Sequence, residues 1–311
     1  MNVRPGGEVV AGQLAGIDRA IVLGANGWFG RTALDLLEEA WGDEAGSRIL
    51  AFARGEHEVA LRSGQPLNVA PMASLESVQP APGTILIDCA YPTQEKVDDM
   101  GVGEYRSSVE ALRRLVTGQL ERLRPDACVS LSSGAATCGP DAPERTRVYG
   151  EMKRRDEEEL LELCPRLAVR LCIARVYAAS GPHMTKPETY ALGDLIAQAR
   201  AGGPMRVRAT RPVVRSYALA ADILAVALVA ALSADPASPE LFETGGEEIE
   251  VGDLAVRVSS VVLGEALPVE LPDLDGSSPD RYVGDPSRME ELASQQGIEL
   301  VGLDEQIART A

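Results

Sequence analysis

One short segment limits the fold of this chain more than any other. Gly24-Ala25-Asn26-Gly27-Trp28-Phe29-Gly30 follows directly on an apolar run, Ala20–Gly24, and opens a helical pattern over Phe29–Trp41. Glycines at this spacing let the backbone turn sharply and approach a bound group closely. The free N–H groups and the dipole of a helix start then favour negative charge. Strand, glycine turn and helix in that order make the pyrophosphate cradle of a dinucleotide fold, and this segment predicts one. With 30 glycines in 311 residues the string alone is a weak sign. The strand before it and the helix after it carry the reading; the blander alternative is a tight structural turn.

The rest of the first half keeps the same rhythm. Ile49–Arg54, Pro66–Ala70, Thr84–Cys89, Ala127–Ser132 and Ala168–Arg175 read as strands. Between the third and fourth of these, Tyr105, Val109, Leu112, Val116 and Leu123 recur at helical spacing, and a further helix runs from about Tyr149 to Leu163. Alternating strands and helices imply right-handed crossovers and a parallel sheet. After Arg175, Pro182, Pro187, Gly202, Gly203, Pro204 and Pro212 break the chain into shorter pieces. Helices over Leu219–Leu232 and Val251–Leu263, a loop over Pro268–Asp280 and a tail helical in two pieces, Asp285–Ala311, complete it. The predicted fold class is α/β, a doubly wound parallel sheet (Rossmann fold) with a smaller C-terminal substrate-binding lobe. Residues 1–180 form the nucleotide-binding domain, and residues 181–311 mainly the lobe, with some segments returning to the first domain.

Charge and cysteine usage exclude several classes. Lys and Arg number 30 against 47 Asp and Glu, a net charge of −17. That excess argues against non-specific binding to nucleic acid or an anionic membrane, though not against an anionic small molecule in a local basic pocket. The five cysteines are odd in number and form no C-x-x-C pair, which fits a reducing cytoplasm better than a disulfide framework or a zinc site. Two histidines rule out a multi-histidine metal centre. Met1–Gly16 lacks the apolar stretch of a signal peptide, and the longest apolar run, Ile223–Leu232, is too short to cross a bilayer.

Three further motifs bear on chemistry. At the end of the second strand, Leu50-Ala51-Phe52-Ala53-Arg54-Gly55 has no carboxylate for a ribose 2′-hydroxyl. Arg54, with Arg31 just past the last glycine, would instead pair with a 2′-phosphate, which predicts NADP(H) over NAD(H); otherwise Arg54 is an exposed strand-end residue. Tyr149-Gly150-Glu151-Met152-Lys153 places a phenol and an ammonium four apart on one helix face. The ammonium stabilises the phenolate, as an acid–base tyrosine needs; without the upstream loop the pair would read as a solvent-facing one. Ser130-Leu131-Ser132-Ser133-Gly134 ends a strand whose C-terminus lines the crevice of an open parallel sheet, where a hydroxyl can meet a carbonyl oxygen.

In this order and spacing the motifs resemble the extended branch of the short-chain dehydrogenase/reductase superfamily, the nucleotide-sugar epimerases, dehydratases and ketoreductases. Ala20–Gly30 looks like the family's glycine loop, and Asp88-Cys89-Ala90 like its fourth-strand end beside the cofactor. Leu131–Gly139 looks like its serine strand, Tyr149–Lys153 like its catalytic pair and Arg175–Pro182 like the strand into its Gly-Pro substrate loop. Val214–Tyr217 with Ala220–Asp222, Phe242–Gly246 and Tyr282–Arg288 are softer matches in the C-terminal lobe. The pattern departs from the family at the serine: counting back from Gly139 lands on Gly134, so Ser133 is the assigned residue and Ser132 its alternative. No acid follows Ser133, since Gly134-Ala135-Ala136 supply none, so the dehydratase activity of the branch is not implied.

The resemblance implies an NADP-dependent ketoreductase of a nucleotide-diphospho-sugar, a 4-keto-6-deoxy sugar being the commonest type, working as a homodimer in deoxysugar biosynthesis. Tyr149, Lys153 and Ser133 would be catalytic. Gly24, Asn26, Gly27, Trp28, Phe29, Gly30, Arg31, Arg54, Cys89, Ala90 and Lys153 would hold the cofactor. Ser132, His183, Arg215 and Arg281 would line the substrate site, with Arg215 either a diphosphate clamp or a salt-bridge partner and His183 either a substrate contact or an exposed loop residue. The rivals are an NAD-dependent epimerase of the same branch and, from another class, a non-catalytic NADP-sensing regulator, which would be expected to have lost Tyr149 or Lys153.

Overall fold

Runs such as Ala20–Leu23 and Ile85–Ile87 are apolar at every position, so their strands must be covered on both faces. The computed structural model describes residues 5–311; the first four residues of the Met1–Gly16 stretch lie outside the described chain. The strands are β1 (Arg19–Leu23), β2 (Ile49–Ala53), β3 (His57–Ala60), β4 (Pro66–Pro71), β5 (Thr84–Asp88), β6 (Ala127–Ser133) and β7 (Arg170–Val176). Shorter strands follow: β8 (Ala178–Ser180), β9 (Met205–Arg206), β10 (Val213–Leu219), β11 (Glu240–Glu243), β12 (Glu248–Glu250), β13 (Val269–Glu270) and β14 (Asp280–Tyr282).

Eight strands form the main sheet in the order β11-β7-β6-β5-β1-β2-β4-β3. All neighbours are parallel except β3, which runs antiparallel to β4 at the edge. From β1 the chain winds one way through β2 and β4. From β5 it winds the other way through β6 and β7. The order reverses between β1 and β5, and a crevice opens at the C-terminal ends of strands at such a point. Gly24 follows β1 there and Cys89 follows β5, with Cys89 N–H donating to Leu23 O at 3.0 Å.

One face of the sheet is covered by helices Gly6–Gln13, Trp28–Trp41, Ala220–Ser233 and Ser287–Gln296, the other by Val102–Leu123 and Glu144–Leu167. Helix Ala220–Ser233 is apolar almost all round, which is why it lies buried between sheet and helices rather than on the surface. β8, β10, β12 and β14 build a second small sheet, and a third cluster of buried side chains sits under helices Ala191–Ala201 and Val251–Leu263. Two of the late segments join the main body: β11 pairs with β7, and helix Ala220–Ser233 packs beneath it.

The structure corrects the sequence reading at element ends and adds elements, among them helices Lys96–Met100 and Ala191–Ala201 and the short strand β13 inside the expected loop Pro268–Asp280. The catalytic-motif helix spans Glu144–Leu167, one turn longer at each end than expected, starting after Pro143 and accommodating Pro165 in its last turn. β1 begins at Arg19 and stops at Leu23, because Gly24 turns out of the strand with φ +76°. β3, with its polar alternation, and helix Gly6–Gln13, with its three glycines, were not foreseen.

Asp222 in the first turn of helix Ala220–Ser233 is 6% exposed, and its carboxylate accepts the Val301 N–H at 2.9 Å. Burial pushes its pKa up to about 6. The native state therefore holds this proton more tightly than the unfolded chain, and stability is lost as pH rises from about 4 through 6. Asp222→Asn keeps an acceptor for Val301 without the charge. Denaturant titration should find it more stable than wild type by about 1–3 kcal/mol at pH 8, and nearly equal to it at pH 3; the same difference at both pH values would contradict the assignment.

Candidate active site

The glycine turn is dictated by contact distances. A Cβ at Gly24 would lie 2.7 Å from Cys89 O and 2.8 Å from Ala90 Cα, so β1 and β5 meet at a point where no side chain fits. A Cβ at Gly30 would collide with Gly24 O, so the helix can start this close to its own strand only with glycine. Gly27 caps helix Trp28–Trp41 without a side-chain hydrogen bond, which leaves the first N–H groups facing the crevice. Asn26 is held by His57 on β3, a partner the sequence did not single out. Trp28 is buried, in edge contact with Tyr190 at 5.8 Å and 5.8 Å from Phe29. Arg31 reaches the Ala60 carbonyl at 2.8 Å on the edge hairpin, and Arg54 is exposed just past the end of β2.

Tyr149, Lys153 and Glu157 repeat every four residues along one face of helix Glu144–Leu167. Gly150 lets that helix press on the turn after β6, since a Cβ there would strike Ala135 O. Lys153 is 5% exposed; its Nζ donates to Leu131 O at 2.7 Å and sits 3.4 Å above the centre of the Tyr91 ring. Burial lowers its pKa to about 8, against the opposing pull of Asp156, Asp88 and Glu157. Burial pushes the Tyr149 phenol up, Tyr282 adds to that, and the Ser133 hydroxyl works the other way. Tyr91 meets Tyr149 edge-on at 5.7 Å.

Strand alternation separates the two serines. Ser132 donates to Glu157 on the buried side of β6, and Glu157 is also gripped by Arg175 Nε at 2.9 Å and Nη2 at 2.7 Å. Ser133 faces the other way, hydrogen-bonded with Tyr282 Oη at 3.2 Å. The structure thus brings Ser133, not Ser132, to Tyr149. Gly134, the residue out of register in the serine motif, leaves room for the Tyr177 ring, which stacks on Tyr282 at 4.9 Å.

The other expected substrate residues are spread out. Arg215 on β10 pairs with Asp280 at 3.2 Å, donates to the Val214 and Asp280 carbonyls at 2.9 Å, and lies 6.0 Å from the Tyr282 ring centre. Arg281 follows Asp280 on the opposite face of β14 and is tied at the surface to Glu248 at 2.7 Å. His183, with φ +67°, bonds Asp35 at 2.7 Å and fastens its loop to the helix of the glycine turn. Tyr91 and Tyr282 are site residues the sequence did not reveal. Tyr91 directly follows the strand end already placed beside the crevice, which was a usable sign; Tyr282 arrives only through the pairing of β14 with β10. Among the described residues no three His, Cys, Asp or Glu side chains group as around a metal ion, all five cysteines are unpaired, and no helix is long and apolar enough to cross a membrane.

No protein-family model and no curated protein matches the chain. Solved structures do. A UDP-glucose 4-epimerase from Brucella ovis in complex with NAD is 18% identical with a TM-score of 0.68, over 94% of this chain and 97% of that one. A UDP-N-acetylglucosamine 4-epimerase from Methanobrevibacter ruminantium in complex with UDP-N-acetylmuramic acid is 14% identical with a TM-score of 0.70, over the same shares. A dTDP-glucose 4,6-dehydratase double mutant from Streptomyces venezuelae with NAD bound is 14% identical with a TM-score of 0.63, over 94% of this chain and 95% of that one. The likeness is one of fold: this chain has the doubly wound architecture shared by nucleotide-sugar epimerases and dehydratases, the fold of the extended short-chain dehydrogenases/reductases.

The Glu157 carboxylate is the only buried partner of both Ser132 and the Arg175 fork within this site. Glu157→Ala should destabilise the protein by about 1–3 kcal/mol in urea titration, because the buried Ser132 hydroxyl loses its acceptor and Arg175 keeps only the longer contact with Glu243 at 3.5 Å. An unchanged midpoint would mean that the pair contributes nothing to holding the helix.

Proposed function

We propose that the chain is an oxidoreductase of the extended short-chain dehydrogenase/reductase type, acting on the ring carbonyl of a nucleotide-diphospho-sugar with a nicotinamide dinucleotide. The observation that carries this reading is the convergence of Tyr149, Lys153 and Ser133 at the end of β6, beside a glycine turn closed to any side chain. That turn fits the dinucleotide: Gly24 and Gly30 let strand, turn and helix start pack closely, which brings the unpaired first N–H groups of helix Trp28–Trp41 to where a pyrophosphate would lie, with Cys89 and Ala90 as the opposite wall. When bound, the dinucleotide supplies or accepts the hydride.

The residues of the chain handle the proton and the charge. Tyr149 gives its phenolic proton to the carbonyl oxygen in reduction and recovers it in oxidation. Ser133 donates to the same oxygen as its negative charge develops. Lys153, held as a buried ammonium, lowers the cost of the phenolate. The aromatic rings of Tyr91, Tyr177 and Tyr282 keep water from this corner, which strengthens each of these contacts. For the diphosphate the candidate is Arg215, whose fork would exchange the Asp280 carboxylate for phosphate oxygens.

For the cofactor we favour NADP(H), because Arg54 stands at the end of β2 where no carboxylate is present. NAD(H) is the second reading, favoured by the fold shared with epimerases solved with NAD, and it would go with epimerisation of one carbon. Arg54→Asp should weaken NADPH binding about 10- to 100-fold in fluorescence titration, as one charge-assisted contact is lost. A wild type that prefers NADH removes this assignment and turns the reading toward an epimerase.

The chemistry is tested by incubating a nucleotide-sugar panel with NADPH and following mass and absorbance. Tyr149→Phe should lower kcat about 100-fold or more while substrate still binds, and Ser133→Ala should cost less. Undiminished turnover in Tyr149→Phe would take the phenol out of the mechanism.

A further inference from the structure

Behind Lys153 lies a second layer of buried charge for which the proton chemistry above has no use. Asp88 ends β5, and Asp156 sits three residues beyond Lys153 on the same helix. Together with Lys153, Ser130 and Thr117 they line a cavity of about 30 Å³ between helix Val102–Leu123, helix Glu144–Leu167 and the sheet. Its remaining wall is apolar, with Val109, Leu112 and Ile173, and its polar end has room for one or two water molecules.

The carboxylates around the ammonium are not equally committed. Glu157 is spent on Ser132 and Arg175. Asp88 accepts one backbone bond, from Ala90 N at 3.1 Å. Asp156 Oδ1 and the Tyr91 hydroxyl are both buried and face one another, but neither has a partner of full hydrogen-bond geometry. Arg113 comes no closer to Asp156 than 3.8 Å, and its short contact, 2.8 Å, is with Glu159. A carboxylate buried beside a lysine with free acceptor sites is costly unless it compensates a charge.

We propose that Asp156, backed by Asp88, is a positioning residue that keeps Lys153 a charged ammonium one helical turn from Tyr149. The argument rests on the function proposed above only in naming Lys153 as the partner of the phenol. The titratable and charged groups facing Lys153 are Asp88, Cys89 and Tyr91 at the end of β5, and Asp156 and Glu157 on its own helix. β6 contributes only hydroxyls and the Leu131 carbonyl. Arg113 on the neighbouring helix faces Asp156, and Arg175 on β7 faces Glu157. Burial of Lys153 works against the charge, Asp156 is the largest influence restoring it and Asp88 the next. Burial also pushes Asp88 and Asp156 themselves up to about 6, so both are ionised at pH 7. Taking one away moves the loss of the lysine proton to lower pH.

The chain has three lysines, Lys96, Lys153 and Lys186, so protein labelled with ¹³C at lysine Cε gives three resolvable signals, with Lys153 assigned by its loss in Lys153→Met. Asp156→Asn should lower the Lys153 midpoint by at least one pH unit, Asp88→Asn by less, and Asp156→Glu should restore most of the wild-type value. Where turnover is measurable, the alkaline fall of kcat should move by the same amount, which a merely structural role would not produce. A Lys153 midpoint unmoved in folded Asp156→Asn overturns the proposal. Should that variant fail to fold, Asp88→Asn decides by the same reading: a lowered midpoint supports it and an unmoved one overturns it. The titration needs no substrate, so a protein without reductase activity still answers the question.

Discussion

The Glu157–Arg175 pair is the contact on which the site geometry depends. Helix Glu144–Leu167 carries the tyrosine and the lysine, and its apolar face turns Met152, Leu160 and Leu163 inward. Glu157 locks that rotation to the sheet, one turn below Lys153, by reaching across to Arg175 on β7 and Ser132 on β6. Because Arg175 also meets Glu243 on β11 at 3.5 Å, the same contact joins three strands to the helix. Breaking it would move Tyr149 relative to Ser133, since one rides on the helix and the other on the strand. A run of charges that looks like a solvated helix face, Asp156 to Glu159, thus divides by position: Asp156 and Glu157 point inward, Glu159 binds Arg113 at the rim.

The parts of the fold that were legible in the sequence are those whose physics is local. The glycine turn announces itself because only glycine tolerates the close approach of β1, β5 and the helix start, and the parallel strands announce themselves by being apolar throughout. The Tyr–Lys spacing is a property of one helix. What the sequence hid depends on distant partners. Tyr282 reaches Ser133 across 149 residues of chain through the parallel pairing of Val213–Arg215 with Asp280–Tyr282. The engagement of Arg215 by Asp280 and of Arg281 by Glu248 is likewise a matter of which strands pair. The choice between Ser132 and Ser133 was open in the sequence only because a one-residue slip in a strand reverses the face.

Electrostatics and packing act together at the crevice. A chain with a net charge of −17 pairs many of its arginines with its own carboxylates, so the helix start at the glycine turn and the exposed Arg54 are what attract an anion to the crevice. Its aromatic content is low, yet Trp28, Tyr91, Tyr149, Tyr177, Tyr190 and Tyr282 gather around the crevice, where rings exclude water and shape the walls. The low dielectric that results is what makes the ammonium of Lys153 both effective and hard to keep.

Helix Ala220–Ser233 has a consequence for how the protein comes to exist. Its twelve buried residues fill the space between β6, β7 and helices Gly6–Gln13 and Trp28–Trp41. A growing chain that has reached only β7 therefore has helices Gly6–Gln13 and Trp28–Trp41 on this face but leaves the β6–β7 part of it bare. The covering helix and edge strand β11 are made some 50 residues later, when the small sheet is still incomplete. The first half is thus tied to the second during synthesis, and a truncated product would be a substrate for chaperones and proteases rather than a free-standing nucleotide-binding unit.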